Sequence, residues 1–479
     1  MNAFSLCGDY INLQEYGKFL IHSLTKKVTN IEIKKLKEQN VTPFQVLVSY
    51  YFIAIAFSFG LLMLPWVKKE GIEIAPIDTL FTAVSAVSVT GLTTINLSES
   101  YTTFGLVMIL IILQIGAIGI MSVGTFLWLI IGKKIGMKER QLLMIDSNQN
   151  NLSGVVHLIR EIIKLLVAIE LFGAIILSIH FRRYFETWEE SIFHGIFTSI
   201  SATTNGGFDI TGMSLQPFHL DYFVQFITIL LIMAGAIGFP VLIEVKTYLL
   251  HRKETFKFSL FTKITTATYG GLFLVGALGI YIIELFASFK NMAWHEAIFS
   301  ALYHSASTRS AGLTTYDVTT FSEATDVFMS FLMFIGASPS SVGGGIRTTT
   351  FAIAILFLLS YAKGKTEIHV FKRKIHEIDV FRSFVVIILA SFMVMLATII
   401  LLITEQHATP IQVLFEITSA FGTCGMSLGI TNDLTSIGKV IIMVLMFIGR
   451  VGLISFLYSL GGRHQKMPYQ YPTERVIIG

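Results

Sequence analysis

Charge is scarce in this chain. Asp, Glu, Lys and Arg make up 14% of its 479 residues, against about 25% in ordinary soluble proteins. With 53% hydrophobic residues and a mean hydropathy of +0.70, too little polar surface remains to cover a globule in water. The expected solvent is therefore lipid. Proline is rare (9) beside phenylalanine (40), which favours apolar helices over loops. Cysteine is nearly missing. Cys7 and Cys424 lie far apart and, on the topology derived below, on opposite sides of the membrane, so no disulfide framework is expected. A net charge of only +4, with no Lys/Arg-rich block interleaved with aromatics, gives no sign of a nucleic-acid partner. Residues 1–43 are polar and Lys-dotted with no apolar h-region, so no signal peptide is expected and the first apolar span would direct insertion. Catalytic signatures are weak too: the histidines are scattered, the cysteines are isolated and HExxH does not occur, which argues against a membrane enzyme.

What is present is long apolar runs, predicted as spanning helices near 45–65, 104–131, 158–181, 222–250, 262–286, 326–361, 383–404 and 438–460. Within each successive pair lies a shorter segment of about 14 residues: 78–91, 191–207, 295–312 and 411–425. At 1.5 Å per residue these cross only about two-thirds of a hydrocarbon core and read as re-entrant half-helices. Such segments are tolerated only where protein or a water-filled cavity surrounds them. About 26 of the 35 basic residues fall on the side of the N-terminus, about seven on the other, and Arg347 and Arg450 at membrane depth. The positive-inside rule then puts both termini in the cytoplasm. Trp66, Trp188 and Trp294 agree as outer-interface residues, with Trp128 at the inner one.

The pattern repeats four times. Aligning the short segments on one glycine gives VTGLTT (Gly91), NGGFDI (Gly207), SAGLTT (Gly312) and TCGMSL (Gly425). The following helices align on LQIGAIG (Gly116), IMAGAIG (Gly235), MFIGASP (Gly336) and MFIGRVG (Gly449), at distances of 25, 28, 24 and 24 residues. The predicted architecture is an all-α polytopic membrane protein of four helix–half-helix–helix units in pseudo-fourfold array. The units run over 44–132, 155–250, 258–362 and 381–461, between cytoplasmic tails 1–43 and 462–479.

Four equivalent half-helices would point the negative ends of their dipoles at one axis. Each is followed by a glycine turn whose carbonyls have no helical partner. Converging carbonyls of this kind can replace the hydration shell of a monovalent cation. The candidate filter residues are Val89, Thr90 and Gly91, then Asn205, Gly206 and Gly207, then Ser310, Ala311 and Gly312, and finally Thr423, Cys424 and Gly425. No acidic ring lies at the tips, which disfavours divalent ions, and Asp209 and Asp317 sit where they could attract cations to the mouth. The GAIG glycines read more readily as close helix packing.

The sixth span is interrupted by GASPSSVGGGIRTTT, residues 336–350, where Pro339 and Gly343, Gly344 and Gly345 cannot sustain a helix. GGGIRT lacks the Lys-Ser/Thr ending of a phosphate-binding loop. The alternatives are a mobile intramembrane loop beneath the filter and a passive kink. Arg450 stands mid-span, where a charge costs at least about 2.5–3.5 kcal/mol. It either faces the pore or pairs with a carboxylate on a neighbouring helix. His194, His295 and His304 lack metal-ligand spacing and read as packing residues, and Glu416 as bonded to neighbouring backbone.

VTGLTT, STRSAGLTT, SAFGTCGMSLG, MFIGRVG and the terminal YPTERVIIG carry a resemblance, over about residue 43 to the C-terminus, to the Trk/Ktr/HKT superfamily, specifically the membrane subunit of bacterial Ktr systems. The resemblance implies potassium as the transported ion, held at the filter carbonyls. Glycine in all four filter positions goes in that family with potassium selectivity, and serine in the first with sodium permeability. It further implies that residues 336–350 form a gating loop, and that Arg450 faces the pore beneath the filter, opposing cation passage. It also implies a homodimer in the cell membrane on a cytosolic ring of nucleotide-binding regulatory subunits. The nucleotide would belong to that partner, with no cofactor in this chain and lipid as the remaining contact. Two departures are Ser310, where threonine is common, and Cys424 and Met426, which flank Gly425 where an aliphatic pair is common. The alternative is a secondary transporter for another monovalent cation such as sodium, although such folds usually show two large repeats rather than four small ones.

Overall fold

The structure, a computed structural model, describes residues 43–119, 155–250 and 256–460, with 122, 140, 142–144 and 474 as isolated positions. Both tails, Cys7, Trp128, the second half of the 104–131 span and the terminal YPTERVIIG motif (Glu474 apart) lie outside the described residues.

The described residues form helices and one small hairpin. In chain order the helices of eight residues or more are α1 (Pro43–Leu62), α2 (Pro76–Ser88), α3 (Thr103–Ile118), α4 (Val155–Phe181), α5 (Trp188–Thr203), α6 (Tyr222–Ala236), α7 (Phe239–Leu250), α8 (Leu260–Glu284), α9 (Trp294–Ser307), α10 (Glu323–Ile335), α11 (Thr348–Ala362), α12 (Glu377–Thr404), α13 (Pro410–Phe421), α14 (Ser436–Val451) and α15 (Leu453–Leu460). Strands β1 (His369–Val370) and β2 (Arg373–Lys374) pair antiparallel between α11 and α12.

Among the described residues four helices are long and apolar enough to span a membrane alone: α1, α4, α8 and α12. They open the four predicted units. Their outward faces carry exposed Phe, Ile and Leu such as Phe57, Phe172, Leu278 and Phe392, as lipid-facing helices should. In the first, second and fourth units the second helix differs from the uninterrupted span predicted. The 222–250 span is α6 and α7 bent by 106° at a short break, where Gly238 takes φ 102°, a value open to glycine without a Cβ penalty. The 438–460 span stops at Gly452 (φ 87°), and α3 at Gly119 (φ 94°). The second glycine of GAIG or GRVG thus ends a helix. The first does the close packing expected: a Cβ on Gly116, Gly235 or Gly449 would strike Val87 O, Thr203 O or Phe421 O, at the ends of the short helices. In the third unit Pro339 replaces the second glycine, the break falls at Gly336, and eleven residues (337–347) pass before α11 begins.

Two of the four short helices start where the sequence supplies a side-chain cap. Thr409 and Gln412 form a reciprocal capping box ahead of α13, with Pro410 at its first turn, and Thr187 caps α5. Each long first helix packs on its own short helix: α1 on α2, α4 on α5, α8 on α9, α12 on α13. Each second helix reaches the next unit's short helix: α3 touches α5, α6 touches α9, α10 touches α13, and α14 returns to α2. That last contact closes a ring. At the far ends of α8 and α12, buried Glu284 and Glu405 repeat one clamp. Glu284 accepts from Ser322 N (2.9 Å) and Oγ (2.7 Å), and Glu405 from Thr435 N (3.1 Å) and Oγ1 (2.6 Å). Ser322 and Thr435 are the N-caps of α10 and α14, so each clamp fixes a first helix to a second.

Candidate functional site

Just past each short helix the backbone changes hand twice. Val89, Asn205, Ser310 and Thr423, two residues before the aligned glycines, have φ of 58°, 52°, 96° and 47°. Gly91, Gly207, Gly312 and Gly425 have φ of 93°, 67°, 69° and 100°. Left-handed backbone is uncommon for any side chain and strained for β-branched Val89 and Thr423, at about 1–3 kcal/mol each. The surroundings hold it in place. Thr90 N donates to Ser85 O (2.9 Å), Gly206 N to Ser201 O (2.8 Å), Ala311 N to Ser307 O (2.9 Å) and Cys424 N to Ser419 O (2.8 Å). The hydroxyls of the same four serines serve again. Gly91 N donates to Ser85 Oγ (3.0 Å) and Gly425 N to Ser419 Oγ (3.1 Å), while Ser201 Oγ donates to Phe208 O and Ser307 Oγ to Leu313 O (2.6 Å each).

Sequence reasoning misses these serines, though a signal exists: a Ser-Ala pair in every short segment, at 85–86, 201–202, 305–306 and 419–420. Three pairs stand six residues before the glycine and the third stands seven. One extra residue in that segment hands the backing role to Ser307.

The four turns meet. A Cβ on Gly91 would lie 2.5 Å from Gly206 O and 2.7 Å from Gly207 Cα. One on Gly207 would lie 3.0 Å from Ala311 O. One on Gly312 would strike Cys424 O, and one on Gly425 would strike Thr90 O. The order 91–207–312–425–91 is thus a closed ring, and the carbonyls pressing into it are those of Thr90, Gly206, Ala311 and Cys424. All twelve candidate filter residues lie in these turns, and the non-glycine ones are buried. Asn205, its amide oriented to suit both neighbours, ties the second turn to Ala202 O (2.9 Å) and to Ala236 N (3.2 Å). Ser310 Oγ donates to Thr423 O (2.6 Å) across the ring. The closing contact carries a salt bridge, Lys439 Nζ to Asp78 Oδ1 at 2.6 Å, and the same oxygen accepts from Thr94 Oγ1 (2.7 Å) beyond Gly91. Four helix C-terminal ends and a ring of backbone carbonyls make a site suited to a bare monovalent cation.

Residues 337–347 lie directly against this ring. A Cβ on Gly343 would lie 2.5 Å from Ser310 Oγ, and one on Gly344 2.7 Å from Thr423 Oγ1. These two glycines serve close approach, whereas Gly345 (φ 84°) turns the chain. The loop hangs on the broken second helix of the second unit. Ser338 N donates to Ala236 O (3.1 Å), Val342 N to Gly235 O (3.3 Å) and Phe239 N to Ser340 O (2.9 Å). Arg450 crosses to it, donating to Val342 O, Gly116 O and Ala117 O (3.0 Å to the last). Its partners are carbonyls; among the described residues it makes no ion pair. Arg347 donates to Gly343 O in the same loop. Both arginines line a cavity of about 190 Å³ with Tyr51, Ser340 and Thr350.

A third arginine escaped the sequence reading. Arg309, in the segment with the extra residue, is fully buried, and its guanidinium donates to Leu332 O (3.4 Å) and Gly336 O (3.5 Å). It stands between the C-terminal ends of α9 and α10, where two negative dipole ends favour a cation. A lone charge in the stretch SASTRSAGLTT, residues 305–315, which is otherwise apolar or hydroxyl-bearing, was the available signal.

The remaining candidates have local duties. His194 stacks on Phe185, His295 Nδ1 meets Tyr222 OH (2.6 Å), and buried His304 bonds Ser300 O (2.8 Å). Asp209 is partly exposed, and its Oδ2 accepts from Thr211 N, Gly212 N and Ser214 N in one turn. Asp317 caps a short turn at Thr319 N (3.0 Å). Glu416 bonds a side chain, the Thr431 hydroxyl, rather than neighbouring backbone. Trp66, Trp188 and Trp294 are exposed, and Cys424 is a free, buried thiol.

Apolar spanning helices around a ring of short helices with converging carbonyls define an all-α polytopic membrane protein. The chain belongs to the TrkH family, described as cation transport protein, which matches residues 14–461, and is a transporter rather than an enzyme. It is 52% identical over 441 residues to Ktr system potassium uptake protein D of Bacillus subtilis, covering 92% of this chain and 98% of the relative. It is 33% identical over 454 residues to potassium/sodium uptake protein NtpJ of Enterococcus hirae, covering 93% and 99%. The fold is like that of the potassium transporter TrkH from Vibrio parahaemolyticus, with a TM-score of 0.68 and 18% identity over 87% of this chain and 84% of that one.

Proposed function

We propose that this protein takes up potassium across the cell membrane through the ring formed by Gly91, Gly207, Gly312 and Gly425. The observation that carries the reading is the convergence of four backbone carbonyls on four glycines that tolerate no side chain. Val89 to Gly91, Asn205 to Gly207, Ser310 to Gly312 and Thr423 to Gly425 form the filter, contributed by units 44–132, 155–250, 258–362 and 381–461. Such a ring takes a dehydrated monovalent ion without an acidic side chain. The name of the B. subtilis relative supports potassium.

Residues 337–347 are the gate, with Gly343 to Gly345 seated beneath the filter and Arg450 as latch and barrier. Opening requires Val342 O to leave Arg450, which also takes its charge out of the cation's path. A gate of this size needs a driver. The relative's description as one component of a Ktr system supports a separate regulatory subunit, read here as a cytosolic nucleotide-binding ring under a homodimer, with tails 1–43 and 462–479 on that side. The name of NtpJ, which includes sodium, keeps a second reading in view: a transporter of sodium as well as potassium.

Rubidium and sodium uptake by a potassium-uptake-deficient bacterium expressing the chain with a cytosolic partner subunit tests both. Rubidium uptake in excess of sodium, with growth rescued at low potassium, is expected. Equal uptake of the two ions would favour the second reading, and no uptake of either would overturn both.

A further inference from the structure

Glu416 is a carboxylate with no role in the mechanism above. It sits inside α13, nine residues before Gly425, and is fully buried. Thr82 and Thr198 stand the same distance before Gly91 and Gly207, so only one of these three walls carries an acid there. Its Oε1 accepts from the Thr431 hydroxyl. Thr431 Oγ1 lies 2.8 Å from Ser427 Oγ, which in turn accepts from Gly429 N (3.0 Å). Oε2 has no partner among the described residues.

Ser427, Gly429 and Thr431 belong to the turn-rich segment that leaves the filter after Gly425. A buried acid without an ion-pair partner is costly and is kept where it does something. Here it ends a chain of hydroxyl bonds that runs along the outgoing segment. Chains of this kind polarise one another, and in a low-dielectric setting they fix geometry more firmly than isolated bonds.

We propose that Glu416 is a positioning residue for cation recognition: through Thr431 and Ser427 it holds the segment beyond Gly425, and so sets the affinity of the fourth filter wall for the incoming ion. This rests on the reading of the four-glycine ring as a potassium filter. The inference is specific to one wall. The first wall is held instead by Thr94 on Asp78, and the second by the Asp209 turn.

The test is a double-mutant cycle on the full chain, measured as rubidium uptake against rubidium concentration, with Glu416→Leu, Thr431→Val and the pair. Glu416→Gln, which keeps the acceptor oxygen, serves as the conservative variant. If Glu416 acts through Thr431, Glu416→Leu and Thr431→Val should each raise the half-saturating rubidium concentration about fivefold with little change in maximal rate. The pair should be no worse than either single change, because one chain is broken once. Glu416→Gln should recover most of the affinity. Additive losses, an unchanged half-saturating concentration in Glu416→Leu, or a loss confined to maximal rate in step with melting temperature would each overturn the proposal. If Glu416→Leu does not fold, Thr431→Val against Glu416→Gln decides by the same criterion. A wild-type chain that moves no rubidium would overturn the filter reading, and this inference with it. A wild-type chain that transports while the variants match it would overturn this inference alone.

Discussion

The third unit and the other three share one filter turn but part company below it. In all four, a short helix ends, a non-glycine residue goes left-handed, and a glycine follows two residues later. Below that, three second helices stop at a single glycine, Gly119, Gly238 or Gly452, while the third opens at Gly336 into eleven residues lying against Ser310 and Thr423. The sequence difference is small: proline for glycine at position 339, and a run of three glycines. The physical difference is large. A glycine break turns a helix at one residue, whereas the loop is held by bonds of its own unit, such as Ala337 N to Gly344 O, together with bonds borrowed from other units at Gly235, Ala236 and Arg450. Borrowed bonds can be returned. On the proposed gating, a fixed upper turn and a movable lower loop are divided between parts of one repeat.

The largest expected effect breaks the upper part. Gly425→Ala would drive a methyl into Thr90 O and should lower rubidium uptake at least about tenfold, with a clear fall in melting temperature. The same change at Gly60 in α1, which has nothing within 4 Å, should leave uptake unaltered, and removing a helical glycine stabilises by about 0.5–1 kcal/mol. Equal tolerance at the two sites would mean that the ring is not closed around position 425.

Next is the lower part. Deleting residues 340–346 should raise the uptake rate severalfold while the rubidium-to-sodium ratio stays put, because the loop touches the filter from below without forming it. A folded but inactive deletion would mark the segment as a static kink.

A smaller effect is expected from Arg450→Gln. With carbonyls as partners, removal strands no buried carboxylate, so the cost should stay near the about 1.5–3 kcal/mol of a charged hydrogen bond rather than the about 3–5 kcal/mol of a broken buried pair. Uptake should be intact or faster. A large drop in melting temperature with no gain in flux would remove Arg450 from the gate.

The smallest concerns ring closure. Asp78→Asn and Lys439→Met, singly and together, should show a coupling of about 1 kcal/mol in detergent melts, since the pair is mostly buried yet still meets water. Zero coupling would leave the contact of α14 with α2 to apolar packing alone.

Much of this organisation was legible along the chain because it is local. Half-length apolar segments, glycines at near-constant spacing and the interruption at 336–350 each announce themselves within about 25 residues. The first GAIG glycine was rightly read as packing. The second was not seen to end a helix, because apolar residues continue past it and hydropathy does not register a bend. What stayed hidden spans units. Arg450 meets Gly116, and Lys439 meets Asp78, across more than 300 residues, which no periodicity reports. The serine pattern was hidden by the extra residue at Arg309, which shifts one copy in four out of register. Glu416 was expected to bond backbone because its partner lies beyond a turn whose path depends on the ring.

The claim on which the rest depends is that carbonyls around four side-chain-free glycines select the ion. Gly91→Ser, assayed for rubidium and sodium uptake in the same cells at matched expression, tests it most directly. A hydroxymethyl group there meets Gly206 O and Gly207 Cα and pulls a carbonyl off the axis, so the rubidium-to-sodium ratio is expected to fall while some uptake persists. A ratio equal to that of the unaltered protein, with uptake retained, would contradict a filter that includes Gly91.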